Sequence, residues 1–278
     1  GPKIGGFLNA TFGNATELII SFFALKQGLF EVVKSSIAGS IIGNILLVLG
    51  ASMLMGGIKH KNQKFNKNIV EVTSSMLLFA VIGLSIPAVF THTFPNNLLN
   101  TRYEGLSLVV AVIMFIIYIL SLVFSFFTHK ELYAVNYDEE EGKAKWSLKK
   151  AIIILIVATV FIAIESEFLV DGVEGITGKL GLSDSFVGII LIPIIGNAAE
   201  HTTAITMALK NKMDVAIEIA IGSSMQIILF VAPVLIFLSL MFTPMTIIFN
   251  QFELIALIVS VLIANKVASD GESNWLEG

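Results

Sequence analysis

The sequence predicts an all-α integral membrane protein, a polytopic helical bundle of two inverted-topology repeats with broken helices at the midplane. Three observations predict it. The first is composition: of 278 residues, 55% are apolar and 14% charged, with a mean hydropathy of +0.87. A soluble domain carries about a quarter charged residues, and in water so large an apolar excess would act as one association patch. The second is the alternation of long apolar runs with short basic loops. The third is a pentapeptide present twice, Gly13-Asn14-Ala15-Thr16-Glu17 and Gly196-Asn197-Ala198-Ala199-Glu200, at an offset of 183.

Taken in order, the apolar runs give eight candidate spans, at 5–26, 35–56, 69–93, 106–127, 150–170, 184–209, 216–240 and 245–265. Between them lie a Lys-rich loop (Lys59, Lys61, Lys64, Lys67), a Pro/Asn turn (Pro95 to Asn97), a polar insert from Thr128 to Lys149, a Gly-punctuated loop from Asp171 to Ser183 and several short turns. With the N-terminus in the cytoplasm, thirteen of the seventeen Lys and Arg fall in cytoplasmic segments, leaving Lys26, Lys34, Arg102 and Lys179 on the other side. That is a positive-inside signal, and it supports eight spans, because a missed or invented one would scramble the alternation. Gly1-Pro2-Lys3 runs straight into a glycine-rich segment with no cleavable signal visible. The domain organisation expected is a first repeat over 1–127, an acidic cytoplasmic linker or helix over 128–149 and a second, inverted repeat over 150–278. The insert carries Asp138, Glu139, Glu140 and Glu141. It reads either as a solvated linker or as a short acidic helix that concentrates or senses cations near a cytoplasmic mouth.

The repeat extends beyond the pentapeptide. At the same offset Gly39-Ser40 matches Gly222-Ser223, with Asn44 downstream of the first and Gln226 of the second. The first copy joins spans one and two, and the later copy joins spans six and seven, so the two run in opposite directions. Binding groups of such repeats meet near the midplane. Glu165 and Glu167 are a fainter echo whose partner would precede residue 1. The chain therefore reads as trimmed by at least one span at its start, with another expected after Gly278.

Glu17 and Glu200 lie deep inside their spans. An ionised carboxylate there costs ~3 kcal/mol or more, so it faces a bundle interior or a water-filled path and marks an ion or proton site. Asn14 and Asn197 precede them by three residues, on the same helix face. Gly13 and Gly196, with Pro193, permit a helix break that turns main-chain carbonyls inward. Ser40 and Ser223 offer hydroxyls, and Asn44 and Gln226 amides. With no cysteine in the chain, the donor set is oxygen alone with two carboxylates. It suits a hard divalent cation, and calcium, which accepts roughly six to eight mixed oxygens, fits better than magnesium, which demands octahedral waters. Two carboxylates neutralise one such ion. With the cation gone, their mutual repulsion in a poor dielectric is relieved by taking up protons. A site that holds either the cation or protons, and crosses only when filled, is an antiporter. No catalytic residues and no cofactor are expected, Ca2+ being the transported substrate.

Other readings stand beside these. Gly39 and Gly43 form a small-xxx-small pair that serves helix packing or the site. Ser40 and Ser223 either line the site or bond back to their own helices, and Asn44 and Gln226 either line it or join helices. His201 points about 100° away from Glu200 and is packing or part of a proton relay. Glu165 and Glu167 are interface carboxylates or relay members. Glu71, Glu218 and Glu253, near span ends, are expected to be solvated. A net charge of −4 and a pI near 5.6 offer no surface for nucleic acid. An intramembrane metalloenzyme is excluded, since Glu200-His201 is not a His-Glu-x-x-His helix and four scattered histidines build no zinc site. A cation channel and a Na+-coupled or Mn2+/Cd2+-selective exchanger remain as alternatives.

The two pentapeptides, with Gly39-Ser40 through Asn44 and Gly222-Ser223 through Gln226, resemble the cation/proton exchanger (Ca2+/H+ antiporter) branch of the calcium/cation antiporter superfamily, in its bacterial form. The resemblance covers essentially the whole chain. It implies two five-helix inverted repeats plus an extra N-terminal helix, with the first two helices and the last outside this sequence. It also implies an acidic helix between the halves, a cell (inner/plasma) membrane location, and calcium exchanged for protons by alternating access. Glu17 and Glu200 would be shared calcium and proton ligands, with Asn14, Asn197, Ser40, Ser223, Asn44 and Gln226 lining the site. The partners are then Ca2+, H+ and the lipid bilayer, and assembly into a homo-oligomer is compatible with this reading.

Overall fold

A computed structural model describes residues 12–93, 100–129 and 146–278. The described chain is helical nearly throughout. Its elements are α1 (Ala15–Lys26), α2 (Phe30–His60), β1 (Asn62–Lys64), α3 (Lys67–Thr93), α4 (Asn100–Val123), α5 (Leu148–Leu180), α6 (Asp184–Gly196), α7 (Ala198–Leu209), α8 (Met213–Ser239), α9 (Gln251–Val267) and β2 (Glu272–Asn274). Among the described residues five helices are long and apolar enough to cross a membrane, or six when α6 and α7, bent by 60° at one break, count as one span. The expected span at 5–26 lies partly outside the described residues, and α9, at 17 residues, is slightly shorter than a full crossing.

Two expected boundaries change. The Gly-punctuated segment from Asp171 is not a loop, because α5 continues to Leu180 and stops only at Gly181, which adopts φ 66°. Isolated glycines weaken a helix by about 1 kcal/mol each without ending it, whereas a left-handed residue at the C-terminus does end it. The last span starts at Gln251 rather than 245. There the Asn250 side chain accepts from Glu253 N, and the Glu253 carboxylate accepts from Asn250 N, a reciprocal cap that fixes the first turn.

Loop contacts sort the helix ends into two groups. In one, β1 pairs antiparallel with β2, Lys59 Nζ and His60 Nε2 both donate to Leu209 O at 2.9 Å, and Gln63 Nε2 donates to Ala208 O at 2.8 Å. These side chains bond the carbonyls at the C-terminus of α7, where intrahelical donors run out. In the other, Gln27 Nε2 donates to Asp171 Oδ1 at 2.6 Å, joining the end of α1 to α5. Lys59, Lys61, Lys64, Lys67, Lys210, Lys212 and Lys266 fall with the first group and Lys26 with the second, the division that the alternation of charge predicts. The helices bearing the two pentapeptides, α1 and α7, end in different groups.

The core between these ends is mostly apolar, with a set of buried polar side chains inside it, and it is very tight where α2 meets α6. A Cβ on Gly39 would lie 2.3 Å from Ile189 O, and one on Gly188 would lie 2.6 Å from Ser35 Cβ. Main chain therefore touches main chain there, next to Ser40. By contrast α5 packs on α1 and leaves most of its apolar surface open.

Candidate ion-binding site

Both pentapeptides start a new helix in the same way. Asn14 has φ −102° and ψ 29°, and Asn197 has φ −98° and ψ 9°. At each, a new helix starts on the Asn carbonyl, which accepts from Leu18 N at 3.1 Å or from His201 N at 2.9 Å. Glu17 and Glu200 occupy the first turns of α1 and α7, where the exposed N–H groups and helix dipole favour negative charge. The sequence thus places each carboxylate at a helix start created inside the bundle. Around them Asn14, Glu17, Ser40, Asn44, Asn197 and Ser223 are all buried, Glu17 at 4% exposure and Asn197 at 0%.

The two copies complete each other. Asn197 Nδ2 donates to Ser40 Oγ at 3.2 Å, and Ser223 Oγ donates to Asn14 Oδ1 at 2.7 Å. Each motif Asn is therefore bonded to the Ser of the opposite copy. Both serines face across helices, and the hydroxyl that bonds back along its own helix is that of Ser224, to Ala220 O at 2.8 Å. Asn14 Nδ2 donates to Gln226 Oε1 at 2.8 Å, so that amide oxygen is occupied. Gly196 packs on the first copy, its ideal Cβ being 3.4 Å from Glu17 Oε1.

One contact carries information about protons. Ser223 Oγ also lies 2.9 Å from Glu200 Oε2, but a serine hydroxyl has a single proton, and Asn14 Oδ1 and an ionised Glu200 are both acceptors. If Ser223 donates to Asn14, the Glu200 contact closes as a hydrogen bond when Glu200 is protonated and donates to Ser223. Glu200, Ser223, Asn14 and Gln226 then form one donor-to-acceptor chain. At the counterpart positions Glu17 Oε1, Asn197 Oδ1 and Asn44 Nδ2 are buried with no hydrogen-bond partner among the described residues. Two of these are oxygens able to ligate a cation, and an unpaired buried polar atom is costly in any site built only for packing. Among the described residues no cluster of three or more His, Asp or Glu could hold a metal ion. The site's ionisable groups are the two carboxylates, with neutral oxygens around them.

Other expected members stand apart. Glu165 and Glu167 are exposed on α5 and join no hydrogen bond of the cluster, while Ser166 between them is buried. His201 is half-buried, with Nε2 unpartnered among the described residues. Gly43 meets no described atom that a Cβ would touch, and Gly222 only Glu218 Cγ at 3.9 Å, so of the glycines after the breaks Gly39 alone is fixed by packing. Gly13 sits in the turn before Asn14. Asp138, Glu139, Glu140 and Glu141 lie outside the described residues. Glu71 and Glu218 are exposed as expected. Glu253 is not: it is 2% exposed, and Ser35 Oγ donates to its Oε1 at 2.5 Å. Its place near a span end suggested water, but the cap with Asn250 folds it inward against α2. The Asn-x-x-Glu spacing was the signal that could have located it.

Residues 1–127 and 150–278 match the sodium/calcium exchanger protein family. The chain is 49% identical over its full length to a Ca(2+)/H(+) antiporter of Aphanothece halophytica, covering 78% of that protein. It is 46% identical, again over its full length, to the Ca(2+)/H(+) antiporter ChaA of Bacillus subtilis (strain 168), covering 80% of it. Among solved structures, native YfkE superposes with a TM-score of 0.85 at 43% identity, over 99% of this chain and 79% of that one. The sodium-calcium exchanger NCX_Mj, at 19% identity, gives a TM-score of 0.61 over 99% of this chain and 81% of its own, a shared fold. With a family match over most of its length and relatives this similar, the chain belongs to the sodium/calcium exchanger protein family.

Proposed function

We propose that this protein is a secondary active antiporter that exchanges Ca2+ for H+ across the cell membrane by alternating access, with cation and protons competing for Glu17 and Glu200. The reciprocal frame in which Asn14 meets Ser223 and Asn197 meets Ser40 carries the reading. It supports a single site made jointly by two inverted repeats, 1–127 and 150–278, and joined by an acidic cytoplasmic segment. The naming of the relatives as Ca(2+)/H(+) antiporters supports the choice of ions.

In this mechanism calcium is held by the ionised pair with Asn197 Oδ1 and neighbouring oxygens, and two carboxylates neutralise its charge in the apolar interior. Its departure leaves two close carboxylates, and protons take its place. The Glu200–Ser223–Asn14–Gln226 chain has the connectivity expected of the proton-loaded half. In either half the net charge of the filled site is small, which is what lets it cross.

The test uses everted vesicles holding the full-length protein, an imposed inside-acid gradient and radioactive calcium uptake. Uptake should follow the pH gradient, and Glu17→Gln or Glu200→Gln should each reduce it to the level of vesicles lacking the protein. Uptake that survives either substitution, or that follows a sodium gradient and ignores protons, would sink the reading. Preference for Mn2+ or Cd2+ over Ca2+ would reassign the substrate.

A further inference from the structure

Glu253 is a buried carboxylate that the ion-binding reading does not use. It is 2% exposed, and both its oxygens are engaged. Oε2 accepts from Asn250 N at 3.0 Å, and Oε1 accepts from Ser35 Oγ at 2.5 Å, within the range of hydroxyl-to-carboxylate bonds. Capping α9 needs only one of these oxygens, and a glutamine would serve as well. The other is aimed across the bundle at a hydroxyl on α2, itself 0% exposed. Burying a carboxylate is costly, so the directed bond to Ser35 is what accounts for an acid at this position.

Ser35 is also held from the far side. Gly188 of α6 lies so close that a Cβ on it would be 2.6 Å from Ser35 Cβ and 2.9 Å from Val32 O. Helix α2 is thus pinned between α6 and α9 at Ser35. Ser40 follows five residues later, roughly 7.5 Å along the axis, and its contact with Asn197 is 3.2 Å long, so a shift of about half an ångström breaks it.

We infer that Glu253 is a positioning residue for the ion-binding helix: through Ser35 it sets where α2 presents Ser40 to Asn197. The inference uses the proposed calcium-for-proton exchange for one of its two readouts. In proteoliposomes of the full-length protein, Ser35→Ala and Glu253→Gln should each raise the apparent KM for calcium on the order of fivefold, with maximal rate within about twofold. The double variant should be no worse than the worse single one, because both remove one bond. The second readout is amide hydrogen exchange of the detergent-solubilised protein without calcium, which should quicken about tenfold across residues 36–44 in both variants and stay unchanged in α3 and α4. Unchanged KM and exchange in Ser35→Ala overturns the inference, as do additive effects in the double variant or equal loosening of α3 and α4. If Glu253→Gln fails to assemble, Ser35→Ala, which leaves the Asn250 cap intact, decides alone. If the unsubstituted protein moves no calcium, the exchange reading falls and the hydrogen-exchange result still decides this one.

Discussion

Ser223→Ala and Ser40→Ala occupy equivalent places in the repeat, yet the structure makes them unequal. Ser40 Oγ accepts one neutral amide bond, at 3.2 Å. Ser223 Oγ sits between Asn14 Oδ1 at 2.7 Å and Glu200 Oε2 at 2.9 Å. In the proposed calcium-loaded state Glu200 is ionised and the Ser223 hydroxyl is free to donate to it. A net neutral hydrogen bond contributes ~0.5–1.5 kcal/mol and one to a charged group ~1.5–3 kcal/mol. At about 1.4 kcal/mol per tenfold, Ser40→Ala should raise the apparent KM for calcium by roughly 2- to 10-fold and Ser223→Ala by roughly 10- to 100-fold. The assay is initial calcium uptake into everted vesicles at fixed pH gradient, with calcium varied and expression matched. A further discriminator is external pH: under the proposed exchange protons compete for the same carboxylates, so apparent KM should rise as pH falls, and more steeply in Ser223→Ala. Equal effects of the two substitutions, or a larger one at Ser40, would refute the placement of the hydroxyl on the charged side of the network.

Other outcomes follow from packing. Gly39→Ala puts a methyl 2.3 Å from Ile189 O, a main-chain clash that cannot be relieved by a rotamer, and should cost ~3 kcal/mol or more, read as loss of folded protein in detergent thermal denaturation. Gly43→Ala, with open space at its Cβ, should stay within about 0.5 kcal/mol or gain slightly from helix propensity. Asn265 bonds Ser74 twice, accepting from its Oγ and donating to its carbonyl, both at 3.0 Å. Asn265→Ala should therefore loosen α9 from α3 by ~1–2 kcal/mol, with calcium affinity unchanged. Neutralising Asp138 to Glu141 should leave maximal transport intact if that insert is a solvated linker, and a large change in cytoplasmic calcium dependence would favour sensing.

The helix breaks, the Gly-Ser positions and the division of basic loops were legible because each rests on a local rule that is used twice. A pentapeptide seen once is weak; seen in two helices ending in opposite loop groups, it locates both carboxylates. What escaped depended on partners remote in sequence. Glu253 looked like a span-end acid until α9 folded it onto Ser35, 218 positions away. Glu165 and Glu167 shared an apolar span with no sign of which face was buried, and it is Ser166 that turns inward. The continuation of α5 past Asp171 was hidden by glycines whose cost the helix tolerates. The π-helical turns at Gly43–Leu49 and Glu218–Gly222, on either side of the paired serines, have no sequence rule at all, since a wide turn differs from an α turn by one register of hydrogen bonds.

The chain of hydrogen bonds from Glu200 to Gln226 can also be joined in the opposite sense. Turn the Asn14 and Gln226 amides over, and Gln226 Nε2 donates to Asn14, Asn14 Nδ2 donates to Ser223, and the Ser223 hydroxyl points at an ionised Glu200 with no atom out of place. Loss of one proton is then answered by the rotation of two amides and one hydroxyl, groups already in contact. The dipoles of three residues from both halves of the protein reverse together, so the charge on Glu200 is registered at Asn14, on the other copy of the pentapeptide.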